Sequence, residues 1–297
     1  MGKTTNRPNT HPILTRPRAA RQIPPMTQRL DSADALAALV PDGAEVAIPK
    51  TPQSPTALAH ALIRRGARDL RLVTVPTSGY AADILIGAGA VSSLETSGVT
   101  LGEFGPAPRF VAAVKSGAIA LRDATCPAIY AAIQAGEKGQ PFVPLRGLIG
   151  SDLMTARHDW KIIDNPFAAD DPIALLPAIQ PDIALIHAPL ADIYGNIWVG
   201  GRHELKTIAH AARQTLATVE EIVDTDLRTD PTRAPNLIGP IYVRAIAEAK
   251  QGAWPEAAPG LYGQDEAALA AYAAAAKSDQ GFADWLAAHV APQRAAE

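Results

Sequence analysis

The chain has 297 residues, 47% of them hydrophobic and 19% charged, which suits a globular protein with one large core or two modest ones. A formal net charge of -3 provides no general attraction for nucleic acid or anionic lipid, so we expect neither as a partner, and we expect no membrane span. The single cysteine excludes an intramolecular disulfide and fits a cytoplasmic protein.

The first 25 residues are basic and rich in proline, and they include no acidic residue. They lack the apolar face needed to join a core, so we predict a disordered leader over residues 1–25, with Met26 as a candidate start. The prolines oppose the amphipathic helix of a transit peptide. We predict one α/β domain over residues 26–297.

Strands and helices alternate through the rest of the chain. Short apolar runs bounded by turn residues predict strands, the clearest at residues 45–49, 69–75, 183–186 and 216–223. Capping residues and helical spacing predict one helix from Asp31 or Ser32 to Val40 and another from Pro108 to Ser116. A further helix is predicted to begin with Ser54 as its N-cap residue and Pro55 as its first residue. Residues 265–290 are predicted to form two helices joined near Gly281. The proline-punctuated residues 164–171 are a candidate boundary between two lobes.

Polar residues follow several of these strands, where open α/β sheets place ligand-binding groups. Thr77, Ser78 and Gly79 follow the strand at 69–75. Gly150 and Ser151 lie in a loop whose backbone amides suit contact with a ligand. These residues are candidates for a binding site, and an ordinary turn or connector is the alternative for each.

Cys126 is predicted to lie at the amino end of a helix, because Thr125 can cap that helix and Pro127 suits its first turn. The partial positive charge there stabilises a thiolate. A free cysteine more often packs as a small hydrophobe, and no histidine is near Cys126 in sequence. A reactive thiol is therefore the less favoured of two interpretations.

Two further features need an interpretation. His187 follows the predicted strand at 183–186 and precedes a turn-rich loop, and a hydrogen-bonded structural role is favoured over a catalytic base. Glu220 and Glu221 are adjacent in a strand, so they face opposite sides and cannot share a proton.

Six segments in this order resemble the A subunits of the glutaconate-type family I CoA-transferases. They are DLRLVTV at 69–75, ADILIGAGAVSSLETS at 82–97, EFGPAPRFVAAVKSGAI at 103–119, QPFVPLRGLIGSDL at 140–153, IALIHAPLADIYGN at 183–196 and TVEEIV at 218–223. The likeness runs from Asp42 to about Asp265. The series is specific, although each segment alone is common in α/β proteins.

The resemblance implies an open three-layer αβα sheet and a working unit of paired A and B subunits with the reaction at their interface. It implies ping-pong transfer of CoA between carboxylic acids through a glutamyl-CoA thioester, formed on a glutamate of the B-like partner chain. We therefore expect no catalytic residue in this chain, no metal or bound cofactor, and coenzyme A as a substrate. The substrate-binding candidates are Thr77, Ser78, Gly79, Cys126, Gly150 and Ser151.

Two features depart from the family pattern. Residues 49–55 are rich in proline where many relatives carry a glycine-rich loop, so no CoA contact is carried over to that loop. Cys126 lies roughly where ring-cleaving CoA-ester hydrolases of steroid degradation carry an acidic residue, which disfavours the same hydrolysis here. One alternative function for this chain is that of a subunit of such a hydrolase, and another is that of a non-enzymatic ligand-binding scaffold.

Overall fold

The structure is a computed structural model that describes residues 27–291. The strands in this range are β1 (Gln28–Leu30), β2 (Glu45–Pro49), β3 (Leu70–Val75), β4 (Val91–Thr96), β5 (Ala120–Asp123), β6 (Phe142–Leu145), β7 (Lys161–Asp164), β8 (Pro172–Pro177), β9 (Ile183–Asp192), β10 (Ile197–Trp198), β11 (Gln214–Val223), β12 (Leu237–Ile238) and β13 (Val243–Glu248). The helices are α1 (Ala33–Ala37), α2 (Thr56–Arg65), α3 (Tyr80–Gly87), α4 (Pro108–Ser116), α5 (Cys126–Glu137), α6 (Asp152–Ala156), α7 (His203–Ala211), α8 (Glu266–Ala275) and α9 (Asp279–His289). The predicted leader and Met26 lie outside the described residues.

Several helix ends follow the capping signals in the sequence. The Ser32 and Thr125 hydroxyls accept hydrogen bonds from the backbone amides of the first turns of α1 and α5, as predicted. The prediction for Ser54 was wrong, because Pro55 is the N-cap residue of α2 and the Ser54 hydroxyl makes no capping bond. The joint between α8 and α9 lies at residues 276–278, so Gly281 falls in the first turn of α9, where its amide donates to Ser278.

The large sheet has the strand order β1-β13-β11-β9-β2-β3-β4-β5, and every neighbouring pair in that path is parallel. The short strands β10 and β12 add antiparallel pairs beside β9. Successive strands β2 to β5 run toward one edge of the sheet, whereas β9, β11 and β13 run toward the other. The direction of the strand order therefore reverses between β2 and β9. In open α/β sheets such a reversal is where ligands bind, beyond the carboxyl ends of the strands.

Side chains from the two faces of the sheet enter different cores. Val46 and Ile48 of β2 pack with α1, α2, α3, α8 and α9 in one cluster. Ala47, between them, packs in a second cluster with α5, α7 and the small sheet. This alternation follows from the period of two in a strand. The predicted open three-layer αβα class is confirmed.

A second sheet, in the order β6-β8-β7, is antiparallel and covers part of the second face. Residues 165–171 form the hairpin loop between β7 and β8, so the predicted boundary between lobes is not a linker. The strand predicted at 183–186 extends to Asp192, which places His187 inside β9 and not at its end. Within residues 27–291, no helix is long and apolar enough to cross a membrane.

Candidate active site

The carboxyl ends of β2, β3, β4 and β5 lie at one edge of the sheet, because these four neighbours are parallel. We call this border, with the loops that follow the four strands, the site edge. Four of the six candidate residues lie directly on it: Thr77, Ser78 and Gly79 after β3, and Cys126 after β5. The fold therefore brings most of the candidates to the place where a parallel sheet binds ligands.

The loop after β3 is packed into the site edge. Ser78 is buried and pairs with the neighbouring loop, its amide donating to Gly98 O and its carbonyl accepting from Thr100 N. The Ser78 hydroxyl has no hydrogen-bond partner among the described atoms. Thr77 is half-buried and Gly79 is buried, so Thr77 is the member of the trio with more access to solvent. Substrate contact by these residues stays a prediction.

Gly79 is required by close packing. An added Cβ would lie 2.7 Å from Thr51 Cγ2 and 2.8 Å from Glu256 Oε1, distances that force neighbouring atoms to move. We expect Gly79→Ala to lower the free energy of unfolding by about 1 to 3 kcal/mol in urea titrations. Gly147→Ala is the matched control, because an added Cβ at Gly147 meets nothing within 4 Å. An equal and small loss in both variants would contradict this packing role.

Cys126 is the first residue of α5, as the sequence predicts, and its thiol is exposed. Its Sγ lies 3.1 Å from the hydroxyl of Ser97, which follows the end of β4. This thiol and hydroxyl pair stands on the site edge at a helix amino end, where backbone amides favour anionic groups. Ser97 was not among the candidates predicted from the sequence, and its place after β4 is visible only in the structure.

Gly150 and Ser151 are exposed and precede α6. The Ser151 hydroxyl donates to the Leu148 carbonyl at 2.6 Å. Leu148 is buried in the same cluster as Val75 and Ala124, which end β3 and follow β5. The loop therefore reaches the site edge through Leu148, while the candidates Gly150 and Ser151 lie on its exposed side.

An ion cluster holds the ends of β4 and β5 together. The buried Arg157 guanidinium donates to Glu95 at 2.8 Å and to both carboxylate oxygens of Asp159 at 2.9 Å. It also donates to the Asp123 carbonyl, and Arg122 joins the two acids from outside. The cluster fixes the backbone just before Cys126, and no local pattern in the sequence predicts it.

The proline-rich loop after β2 is held by backbone contacts. Arg202 donates to the carbonyls of Lys50, at 2.8 Å, and of Pro52. The Gln53 side chain donates to the His187 carbonyl and its amide to the Ala257 carbonyl. The loop is thus fastened to β9 and to residues near 257, at the position where the strand order reverses.

Beneath this loop lies a network centred on Glu220. His187 is fully buried, with Nε2 2.9 Å from Glu220 Oε1 and Nδ1 3.0 Å from the Thr218 hydroxyl. Glu220 also accepts hydrogen bonds from the Gln251 and Gly252 amides and from the Tyr262 hydroxyl. With both ring nitrogens bonded, His187 has the structural arrangement favoured from the sequence.

The electrostatics of Glu220 follow from these donors. Burial by itself raises the pKa of Glu220, but the hydrogen bonds from His187, the Gln251 amide and Tyr262 outweigh it and lower the pKa to about 2. Glu220 is therefore a carboxylate at neutral pH, and Nε2 of His187 donates to it. In residues 27–291 no group of three or more His, Cys, Asp or Glu side chains is arranged to hold a metal ion.

Comparison with known proteins supports these observations. The coenzyme A transferase family model matches residues 30–239. The chain is 33% identical over 267 residues to the A subunit of 3-oxoadipate CoA-transferase from Pseudomonas knackmussii, a match that covers 88% of this chain and 93% of the relative. It is 29% identical to the cholesterol ring-cleaving hydrolase IpdA subunit of Rhodococcus jostii, with 80% and 83% covered.

Among solved structures, glutaconate coenzyme A-transferase from Acidaminococcus fermentans superposes with a TM-score of 0.83 at 29% identity and covers 90% of each chain. Sequence and fold thus agree over most of the described residues. The chain belongs to the coenzyme A transferase family and is similar to that family's A subunits.

Proposed function

We propose that this chain is the A subunit of a cytoplasmic two-subunit CoA-transferase that moves CoA between carboxylic acids. The observation that carries the proposal is the site edge, built from the loops of a sheet that shares its fold with glutaconate coenzyme A-transferase. Relatives of high coverage are named as A subunits of CoA-transferases. A B-like chain is the proposed partner, and CoA enters as a substrate.

The proposed chemistry places the nucleophile on the partner. A partner glutamate attacks the acyl-CoA carbonyl and expels the CoA thiolate, which gives an acyl-glutamyl anhydride. The thiolate then attacks the glutamyl carbonyl, releases the first acid and leaves a glutamyl-CoA thioester, and a second acid reverses these steps. Two partly buried carboxylates of this chain are engaged already, Glu95 by arginines and Glu220 by four donors, which supports a nucleophile from elsewhere.

This chain would shape the acyl pocket and stabilise charge on the carbonyl oxygen. The Cys126 amide at the start of α5, beside the Ser97 and Cys126 side chains, is a suitable donor to an oxyanion, since Pro127 has no N–H and the Ala128 amide already donates to Thr125. The exposed loop with Gly150 and Ser151 would cover the acyl group. Identity of the acid depends on pocket shape, to which both chains would contribute.

Native mass spectrometry of the protein purified from its host is the first test. We expect a second α/β chain in equal amount, and a reconstituted complex that exchanges label between a CoA ester and free acids while either chain alone does not. Borohydride treatment of the complex incubated with acyl-CoA should trap a partner glutamate. A homo-oligomer without exchange activity would contradict the proposal and favour a scaffold.

The hydrolase alternative is supported by the likeness to the cholesterol ring-cleaving hydrolase IpdA chain. It would act on a bulky cyclic CoA ester and would need no acceptor acid. The exposed Cys126 thiol is at or near the position of the acid expected in that group, so a different base would be needed. Consumption of a cyclic CoA ester without acyl exchange would select this alternative.

A further inference from the structure

Glu256 is a buried carboxyl group close to the site edge. Only 3% of the residue is exposed. Its Oε1 accepts a hydrogen bond from the Tyr80 amide, at the start of α3, with a distance of 3.2 Å. Its Oε2 has no hydrogen-bond partner. A buried carboxyl oxygen without a partner is rare in folded proteins and calls for an explanation.

The carboxyl group lies between the loops after β2 and β3. Gly79 approaches so closely that an added Cβ would be 2.8 Å from Glu256 Oε1 and 2.7 Å from the Thr51 methyl. The Ser54 hydroxyl and backbone amide both lie near enough to lower the pKa of Glu256, although neither that hydroxyl nor Oε2 has a hydrogen bond of ordinary geometry. The Glu256 side chain therefore lies close to residues of both loops.

Unpartnered polar atoms concentrate at this place. Five buried side-chain atoms within residues 27–291 have no hydrogen-bond partner, and three of them are Ser54 Oγ, Ser78 Oγ and Glu256 Oε2. Glu256 and its neighbours 240–291 lie beyond the span that the family model matches. The part of the chain that follows this span thus places an ionisable group beneath loops that lie within it.

The surroundings favour the neutral form of this group. Burial raises the pKa of Glu256 to about 7, against smaller opposing contributions from Ser54, the Tyr80 amide and Arg202. Arg202 is already bonded to Glu204 and to the loop carbonyls. Burial lowers the pKa of His60 to about 3 and raises that of Tyr80, so these two hydrogen-bonded side chains stay uncharged when Glu256 titrates.

We propose that Glu256 is a positioning residue whose protonated form holds the loops after β2 and β3 together, and whose ionised form loosens the site edge and weakens acyl-CoA binding. The physical reason is that a buried carboxylate here has the Tyr80 amide and a poorly aligned Ser54 as its neighbours, too few for a charge, and gains water as a partner when the loops separate. The effect on acyl-CoA rests on the proposed transferase function.

The test measures the KM for acyl-CoA in the complete two-subunit enzyme between pH 6 and pH 8.5. With a pKa near 7, about one molecule in ten is protonated at pH 8, so the KM of the wild type should rise about tenfold from pH 6 to pH 8. Glu256→Gln is neutral at every pH and should keep a constant KM. Glu221→Gln, at an exposed carboxylate of β11, should behave like the wild type.

A second readout is independent of the reaction. Hydrogen exchange of the amides of residues 50–57 and 76–82, expressed as protection relative to the free peptide, should fall in the wild type across the same pH range. It should stay constant in Glu256→Gln. Flat wild-type protection would overturn the proposal even if that variant failed to fold, whereas pH-dependent protection without CoA-transferase activity would refute only the proposed function.

Discussion

Replacing Glu220 with alanine is expected to lower the free energy of unfolding by about 2 to 4 kcal/mol, because a partly buried charged acceptor is removed from four donors, one of them the fully buried His187. His187 Nε2, the Tyr262 hydroxyl and the amides of Gln251 and Gly252 would lose their acceptor together. For a chain of this size the melting temperature should fall by roughly 10 °C. Urea and thermal unfolding, followed by circular dichroism, measure the loss.

The neighbouring residue supplies the control. Glu221 is exposed on the same strand, so Glu221→Ala should change stability by about 0.5 kcal/mol or less. Equal losses in the two variants would show that the strand, and not the network, is sensitive to substitution.

The Glu220 network also predicts how the free energy of unfolding changes with pH. The pKa of Glu220 in the folded state, about 2, lies below the ordinary value of 4.5, so its stabilising contribution is present above 4.5 and is lost as the pH falls toward 2. Glu220→Gln should lack this acid-dependent part of the wild-type unfolding curve.

Asp192→Ala should be destabilising by about 3 kcal/mol or more, since it leaves buried donors without an acceptor. Asp192 is fully buried at the end of β9, and its carboxylate accepts from the amides of Tyr194, Asn196 and Leu227 and from the Asn196 side chain. This carboxylate fastens two turns at once, after β9 and after β11. Unfolding in urea, at constant m-value, gives the magnitude of the loss.

Asp224 offers a matched comparison. It is an exposed aspartate just after β11, and Asp224→Ala should be close to neutral. A stable Asp192→Ala protein would mean that these amides find water or other acceptors, which would contradict the role assigned to the carboxylate.

Local signals predicted much of the fold. The strand at 45–49 and the helix from Pro108 to Ser116 match the structure residue for residue, because apolar patterns, proline and glycine act within a few positions. The placement of Cys126 at a helix start also follows from Thr125 and Pro127 alone. The proposed partner and the proposed chemistry rest on family resemblance and not on local pattern.

The contacts that hold the site edge and the neighbouring Glu220 network could not be predicted from such local signals. Glu220 and His187 are 33 residues apart, and the Arg157 pair with Glu95 spans 62. The adjacent strands β9 and β11 bring His187 and Glu220 together, and the end of α6 brings Arg157 to β4. Sequence spacing does not encode either neighbourhood. Ser54 shows the same limit, because a residue that suits a helix cap lies instead beside a carboxyl group 202 positions later.

The central position of β9 has a consequence for how the chain reaches its folded state. Strands β2 to β5 follow each other closely in sequence and can pair early, but the other side of β2 can pair only after β9 has been synthesised. The Glu45 amide, for example, donates to Asp182, which is 137 residues later. The hydrogen bond from the Thr56 hydroxyl to the Ala253 carbonyl joins residues that are 197 positions apart. Such distant pairings slow folding and leave an open strand side during synthesis. We therefore expect a half-made chain to be prone to aggregation, and the loops of the site edge to become ordered last.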